Sequence, residues 1–147
     1  MRARDLVTPA KAVRFDTPAI DAARLLAEER LPGLIVVNDR GLPVTVLPGT
    51  QVLRLGVSQS ILDDPALARV VDEAHADVFL RELGNRTVAQ CLPRQQRELP
   101  IVKPDATVLE IAALMARTRS PVVAVVDKEQ GLIGQVTLSD LMDRILQ

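Results

Sequence analysis

The 147 residues carry a formal net charge of −1, with 48% hydrophobic and 25% charged residues, a composition that suits a folded domain and argues against overall disorder. Near-neutral charge and only two aromatic residues, Phe15 and Phe79, speak against a basic, base-stacking nucleic-acid surface. No apolar run approaches the ~18 residues of a membrane span, and "MRARDLVTPAKAV" lacks a signal peptide's apolar segment, so no membrane insertion and a cytoplasmic location are expected. The single Cys91 agrees with a reducing compartment.

In chain order, a short strand is expected at Ala12 to Phe15. Thr17 and Pro18 then form a helix start, since proline suits the first helical position. The helix runs from Ile20 to about Glu29 and is followed by an unbroken apolar strand, Leu34 to Val37, whose lack of alternation predicts burial on both faces. "NDRG" turns the chain into a further strand and helix. Asp64 and Pro65 open another helix, and Gly84 with Asn85 stops it. Its length is near 19 residues, and Leu67, Val70, Val71, Ala74 and Val78 form one apolar stripe. That stripe packs on its own module or meets a partner. After "RQQRELP" comes a strand at Ile101 to Lys103. A helix from Val108 to Arg117 follows, opened by Thr107 and Glu110 at capping-box spacing. Next are the apolar strand Val122 to Val126, the turn "DKEQG", a strand and a last helix.

The order is a repeat. Asp16 falls over Asp105, Leu25 over Leu114, Pro32 over Pro121 and Val37 over Val126, an offset of 89. Aligning Gly41 with Gly131 then adds one residue to the second copy. Upstream, "DLVTP" at Asp5 resembles "QCLPR" at Gln90, which matches Cys91 to Leu6 and makes it a small core hydrophobe. Each copy reads β-α-β-β-α, too little to close a core alone, so two must cover each other. The expected class is α/β, of the α+β kind. Its parts are repeat 1 over 1–56, a connecting helical segment over 57–86, and repeat 2 over 87–147.

The stretches "DATVLEIAALM", "SPVVAVVD" and "GLIGQVTLSDLM", with "DTPAIDAARLL" and "LIVVNDRGLPV" in the first copy, resemble a tandem pair of CBS (cystathionine-beta-synthase) domains, a Bateman module. The resemblance implies two repeats related by a pseudo-two-fold axis. It also implies an adenosine-type ligand (AMP, ADP, ATP or S-adenosylmethionine) in a cleft between them, and no required cofactor. In such a family the hydroxyl matching Thr137 contacts phosphate and the carboxylate matching Asp140 holds the ribose, with Ser139 between them. The wall from the other repeat maps near Lys11, Ala12, Leu31 and Gly33. The resemblance further implies a homodimer and a separate regulated protein, such as a transporter or metabolic enzyme.

Thr137 and Asp140 have two readings by spacing alone. They can cap the helix "LMDRIL". The same helix start can bind phosphate through its amides, with the carboxylate accepting from ribose hydroxyls. With the glycine-based alignment, "LPGT" of the first copy lies under "TLSD", so Leu47 and Thr50 replace the hydroxyl and the carboxylate. One competent cleft is expected. Elsewhere, His75 three residues after Asp72 lacks the further ligands of a metal site. Arg94 and Arg97 are either solvated or lend phosphate contacts. No nucleophile elbow, Walker loop or G-x-G-x-x-G is present, so catalysis is not expected. The reading is a non-catalytic regulatory module. The alternative is a dimerisation or scaffold module with a vestigial ligand site.

Overall fold

The computed structural model describes residues 1–57, 59–70, 74–93 and 98–147. The first repeat contains α1 (Ala3–Leu6), β1 (Ala12–Arg14), α2 (Ala19–Glu28), β2 (Gly33–Val37), β3 (Pro43–Pro48) and α3 (Gly49–Gly56). The connection holds α4 (Gln59–Asp63), α5 (Leu67–Val70) and α6 (Ala74–Gly84). The second repeat contains α7 (Val88–Cys91), β4 (Ile101–Val102), α8 (Val108–Thr118), β5 (Val122–Asp127), β6 (Gly131–Thr137) and α9 (Leu138–Ile145). The α+β class with two β-α-β-β-α units is as expected.

Each unit builds a three-stranded sheet, β1-β2-β3 and β4-β5-β6, whose first pair is parallel and second antiparallel. The apolar middle strands are buried on both faces because three cores meet at them. Leu34 and Val36 of β2 pack toward their own helices, and Val123 and Val125 of β5 do the same in the other unit. The alternate residues Ile35, Val122 and Ala124, with Val46, form the layer between the sheets. Removing the fully enclosed Leu, Ile and Val side chains among these from water contributes about 1.5–3 kcal/mol each.

The leader helices are exchanged. α1 lies on the second repeat, where Ala3 N–H donates to Ala106 O at 2.8 Å and Arg4 N–H to Pro104 O at 2.9 Å. α7 lies on the first, where Val88 N–H donates to Thr17 O at 2.8 Å and Ala89 N–H to Phe15 O at 3.0 Å. Leu6 and Cys91 are both buried in these contacts, and enclosure pushes the Cys91 thiol pKa up.

Local helix chemistry agrees in part in the second copy, where Thr107 caps α8 without the return bond from the Glu110 side chain, and differs in the first. Thr107 Oγ1 accepts from Glu110 N–H at 3.1 Å. In the first copy Pro18 is the N-cap rather than the first helical residue, and Thr17 Oγ1 instead accepts from Arg14 N–H at 3.0 Å, closing the turn before it. In the connection, α6 buries Leu83 and half-buries Phe79 against the first repeat. Leu67 and Val78 of the expected stripe are exposed. Val71, Asp72, Arg94 and Arg97 lie outside the described residues, as do the side chains of Val70, Ala74 and His75.

The glycine-based alignment of the last strands is corrected by the sheet register. Gly33 pairs with Pro48 and Val122 with Thr137, so the offset of 89 persists to the helix start. α3 and α9, each of eight residues, begin and end in step. The counterparts of Thr137, Ser139 and Asp140 are therefore Pro48, Thr50 and Gln51, not residues one earlier. The two turns have equal length but put their positive-φ glycine at different places, Gly41 at φ 77° and Gly131 at φ 76°. The turn glycines therefore stand one residue out of step with the strand register.

Candidate functional site

The last strand and helix meet at Thr137. Its backbone is extended, and its side chain and that of Asp140 close a capping box. Thr137 N–H donates to Asp140 Oδ2 at 3.2 Å, and Asp140 N–H donates to Thr137 Oγ1 at 3.2 Å. The next donor is also used, since Leu138 N–H reaches Pro121 O at 2.9 Å. Asp140 Oδ1 receives no hydrogen bond among the described residues, and the Thr137 hydroxyl proton is likewise uncommitted. The cap thus leaves one carboxylate oxygen and one hydroxyl donor for something else.

These groups open onto a cavity of about 390 Å³ built from both repeats, within the usual size of small-molecule sites. Thr137, Ser139, Asp140 and Gln135 form one wall. Thr8, Pro9 and Lys11, from the segment between α1 and β1, form a second. The loop after α2, Glu29 to Pro32, forms the third. Of the residues expected from the sequence, the fold brings together Thr137, Ser139, Asp140, Lys11 and Leu31. Ala12 does not line this cavity. It faces an outer hollow beside α2 that also holds Asp21 and Arg24. Gly33 is buried on β2 behind the loop, and a Cβ there would stand 3.0 Å from Leu47 O, so its role is to let the strands meet.

The second wall is held in place by a close approach. Thr8 N–H donates to Gln135 O and Gln135 N–H to Thr8 O, both at 2.9 Å. This pairing needs Gly134, because a Cβ there would overlap Val7 Cγ2 and lie 2.5 Å from Thr8 O. The third wall is shaped by Arg30, whose φ of 52° ends α2 in the left-handed conformation. Arg119 repeats it after α8 at φ 55°. Lys11 Nζ sits 3.8 Å from Glu29 Oε1, both partly exposed. Lys11 and Arg30 balance Glu29 and Asp140 in formal charge. The cations and the positive helix start suit a phosphate, and the carboxylate suits hydroxyls.

Thr8, Glu29, Arg30 and Gln135 were not anticipated. A signal existed for two of them. Arg30 recurs as Arg119 at the repeat offset, and Gln135 is an amide inside the otherwise apolar "GLIGQV". In the first repeat, Pro48 and Gln51 stand where Thr137 and Asp140 stand in the second. Pro48 caps α3 without a side-chain hydrogen bond, and Gln51 turns its Nε2 to Cys91 O at 3.3 Å.

The CBS domain family profile matches residues 95–147. A crystal structure of a CBS domain-containing protein of unknown function from Kribbella flavida is 47% identical. It aligns over 100% of this chain and 99% of its own, with a TM-score of 0.83. The chain belongs to the CBS-domain family. It is a tandem CBS pair, and the profile match covers the copy that carries Thr137 and Asp140. The pair is also similar to the CBS domain-containing protein CBSX2, chloroplastic, of Arabidopsis thaliana. That protein is 30% identical over 97% of this chain and 63% of its own length. A structure of CBSX2 in complex with AMP superposes with a TM-score of 0.67 over 99% of this chain and 96% of that one. At 23% identity it shows the fold. Among the described residues, no helix is long and apolar enough to cross a membrane.

Proposed function

We propose that this CBS pair is a non-catalytic regulatory module that binds an adenosine-type ligand, AMP, ADP, ATP or S-adenosylmethionine, in the cavity between its repeats. The observation that carries the reading is that one cavity joins the spare acceptor of Asp140 and the start of α9 to a wall from the other repeat with Lys11 and Leu31. The ribose hydroxyls donate to Asp140. The phosphate lies toward Thr137, Ser139 and the helix start. CBSX2, a structural relative, is known in complex with AMP, which supports this ligand class.

A ligand held by both repeats favours one relative arrangement of them, and only its differential affinity for that arrangement can shift the population. The shift alters the helical surface offered to a second copy and to a separate regulated protein. A thermal-shift screen of AMP, ADP, ATP, S-adenosylmethionine and NAD tests the reading. Ligand at 100 times its Kd adds about 2.7 kcal/mol of stability. No shift with any of them leaves the second reading, a dimerisation or scaffold module with a vestigial site. That reading draws on Thr137 and Asp140 already satisfying each other as a cap.

A further inference from the structure

Gln135 is 2% exposed, in a strand position that packs between the two sheets. Its counterpart in the first repeat is Val46, also buried. Burying an amide where an aliphatic side chain fits is unfavourable unless both of its ends find partners. The acceptor end is accounted for, since Gln135 Oε1 accepts from Lys11 N–H at 3.4 Å. At the matching place in the other repeat stands Pro100, which has no N–H, and there Val46 suffices. The donor end is not accounted for. Gln135 Nε2 has no acceptor among the described residues, yet no wholly enclosed side-chain nitrogen or oxygen among them lacks a partner. The nitrogen therefore keeps an opening, and Gln135 lines the cavity that also holds Thr137 and Asp140.

Gln135 and Thr137 are two residues apart on one strand, so they face the same side, about 6–7 Å from each other. If the ribose and phosphate sit at Thr137 and Asp140, the base of the same ligand reaches Gln135. We infer that Gln135 is a specificity-determining residue that donates its unused amide hydrogen to a ring nitrogen of the ligand's purine base. This rests on the reading of the cavity as an adenosine-type site. Oε1, fixed by Lys11 N–H, sets the amide's orientation, so the donor is presented without rearrangement.

The test is calorimetric titration of the full chain with AMP, and displacement of AMP by ribose 5-phosphate, which has no base. Wild type is compared with Gln135→Leu and Gln135→Glu, each checked for an intact melting transition. Gln135→Glu keeps the size and the acceptor for Lys11 but loses the donor. The expected result is AMP affinity about three- to tenfold weaker in both variants, with ribose 5-phosphate unchanged. Unchanged AMP affinity in either folded variant overturns the inference while leaving the nucleotide site standing. Equal weakening of AMP and ribose 5-phosphate also overturns it, because Gln135 would then only shape the wall. A wild type that binds no AMP defeats the adenosine reading and this assignment with it.

Discussion

Thr137 and Asp140 hold each other reciprocally, backbone to side chain in both directions at 3.2 Å, and the two roles of the pair separate by mutation. Thr137→Ala removes the cap acceptor and is expected to cost about 1 kcal/mol in chemical denaturation. Asp140→Asn retains an oxygen for the Thr137 amide, so its stability stays within about 0.5 kcal/mol of wild type. Its affinity for the best nucleotide should nonetheless fall roughly 10- to 150-fold in calorimetric titration, as a charge-assisted acceptor is lost. Gln51→Ala, at the true counterpart, and Thr50→Ala should leave affinity unchanged. Equal binding by Asp140→Asn and wild type would reduce the motif to a cap.

Gly134 permits Val7 and Thr8 to lie against β6. Gly134→Ala drives a methyl into that segment, where the obstacle includes the Thr8 backbone and cannot rotate away. A loss of about 1–3 kcal/mol is expected in denaturant titration, together with weaker nucleotide binding, because Thr8 to Lys11 form a cavity wall. A variant as stable as wild type would show that the leader is not seated as described.

Helix α9 exposes Leu138, Met142 and Ile145, and Leu146 just beyond it is 79% exposed. The pseudo-symmetric α3 exposes Leu53, the counterpart of Met142. Helical spacing gathers these side chains into a stripe that a second copy can cover. Light scattering at micromolar concentration should give twice the 16.0 kDa chain mass, and Ile145→Asp should return it to the single-chain mass. A wild type at chain mass throughout that range defeats the homodimer.

The turn after β5 carries a pH-dependent contribution. Backbone N–H groups of Glu129, at 2.7 Å, and Gln130, at 3.2 Å, donate to Asp127 Oδ1 and hold its carboxyl below its ordinary pKa. A folded-state pKa below the unfolded value stabilises above the unfolded pKa. The contribution begins to fall as pH drops below the ordinary carboxylate value of about 4 and is gone once pH has passed through the lower folded value. Asn38 fills the same place in the first repeat and accepts from Arg40 and Leu42 without a charge. Asp127→Asn should accordingly flatten the acid limb of a stability–pH profile. An unaltered acid limb would remove Asp127 from the pH dependence.

The repeat, its β-α-β-β-α order and the strands buried on both faces were legible in the sequence because they rest on local periodicity and a constant offset. The pairing of Thr137 with Asp140 was legible for the same reason, since three residues along one helix start bring the partners together whatever the rest of the chain does. Tertiary structure decided what depends on distant contacts. The register of the last strands follows from ladder pairs such as Val122 with Thr137, and turn glycines do not report it. The exchange of α1 and α7 and the wall from Thr8 to Lys11 arise from hydrogen bonds across more than a hundred residues on one side, as between Thr8 and Gln135. Lys11 lines the cavity while its neighbour Ala12 faces the outer hollow, because an extended chain sends successive side chains to opposite faces and only the packing of the two sheets determines which face becomes the cleft.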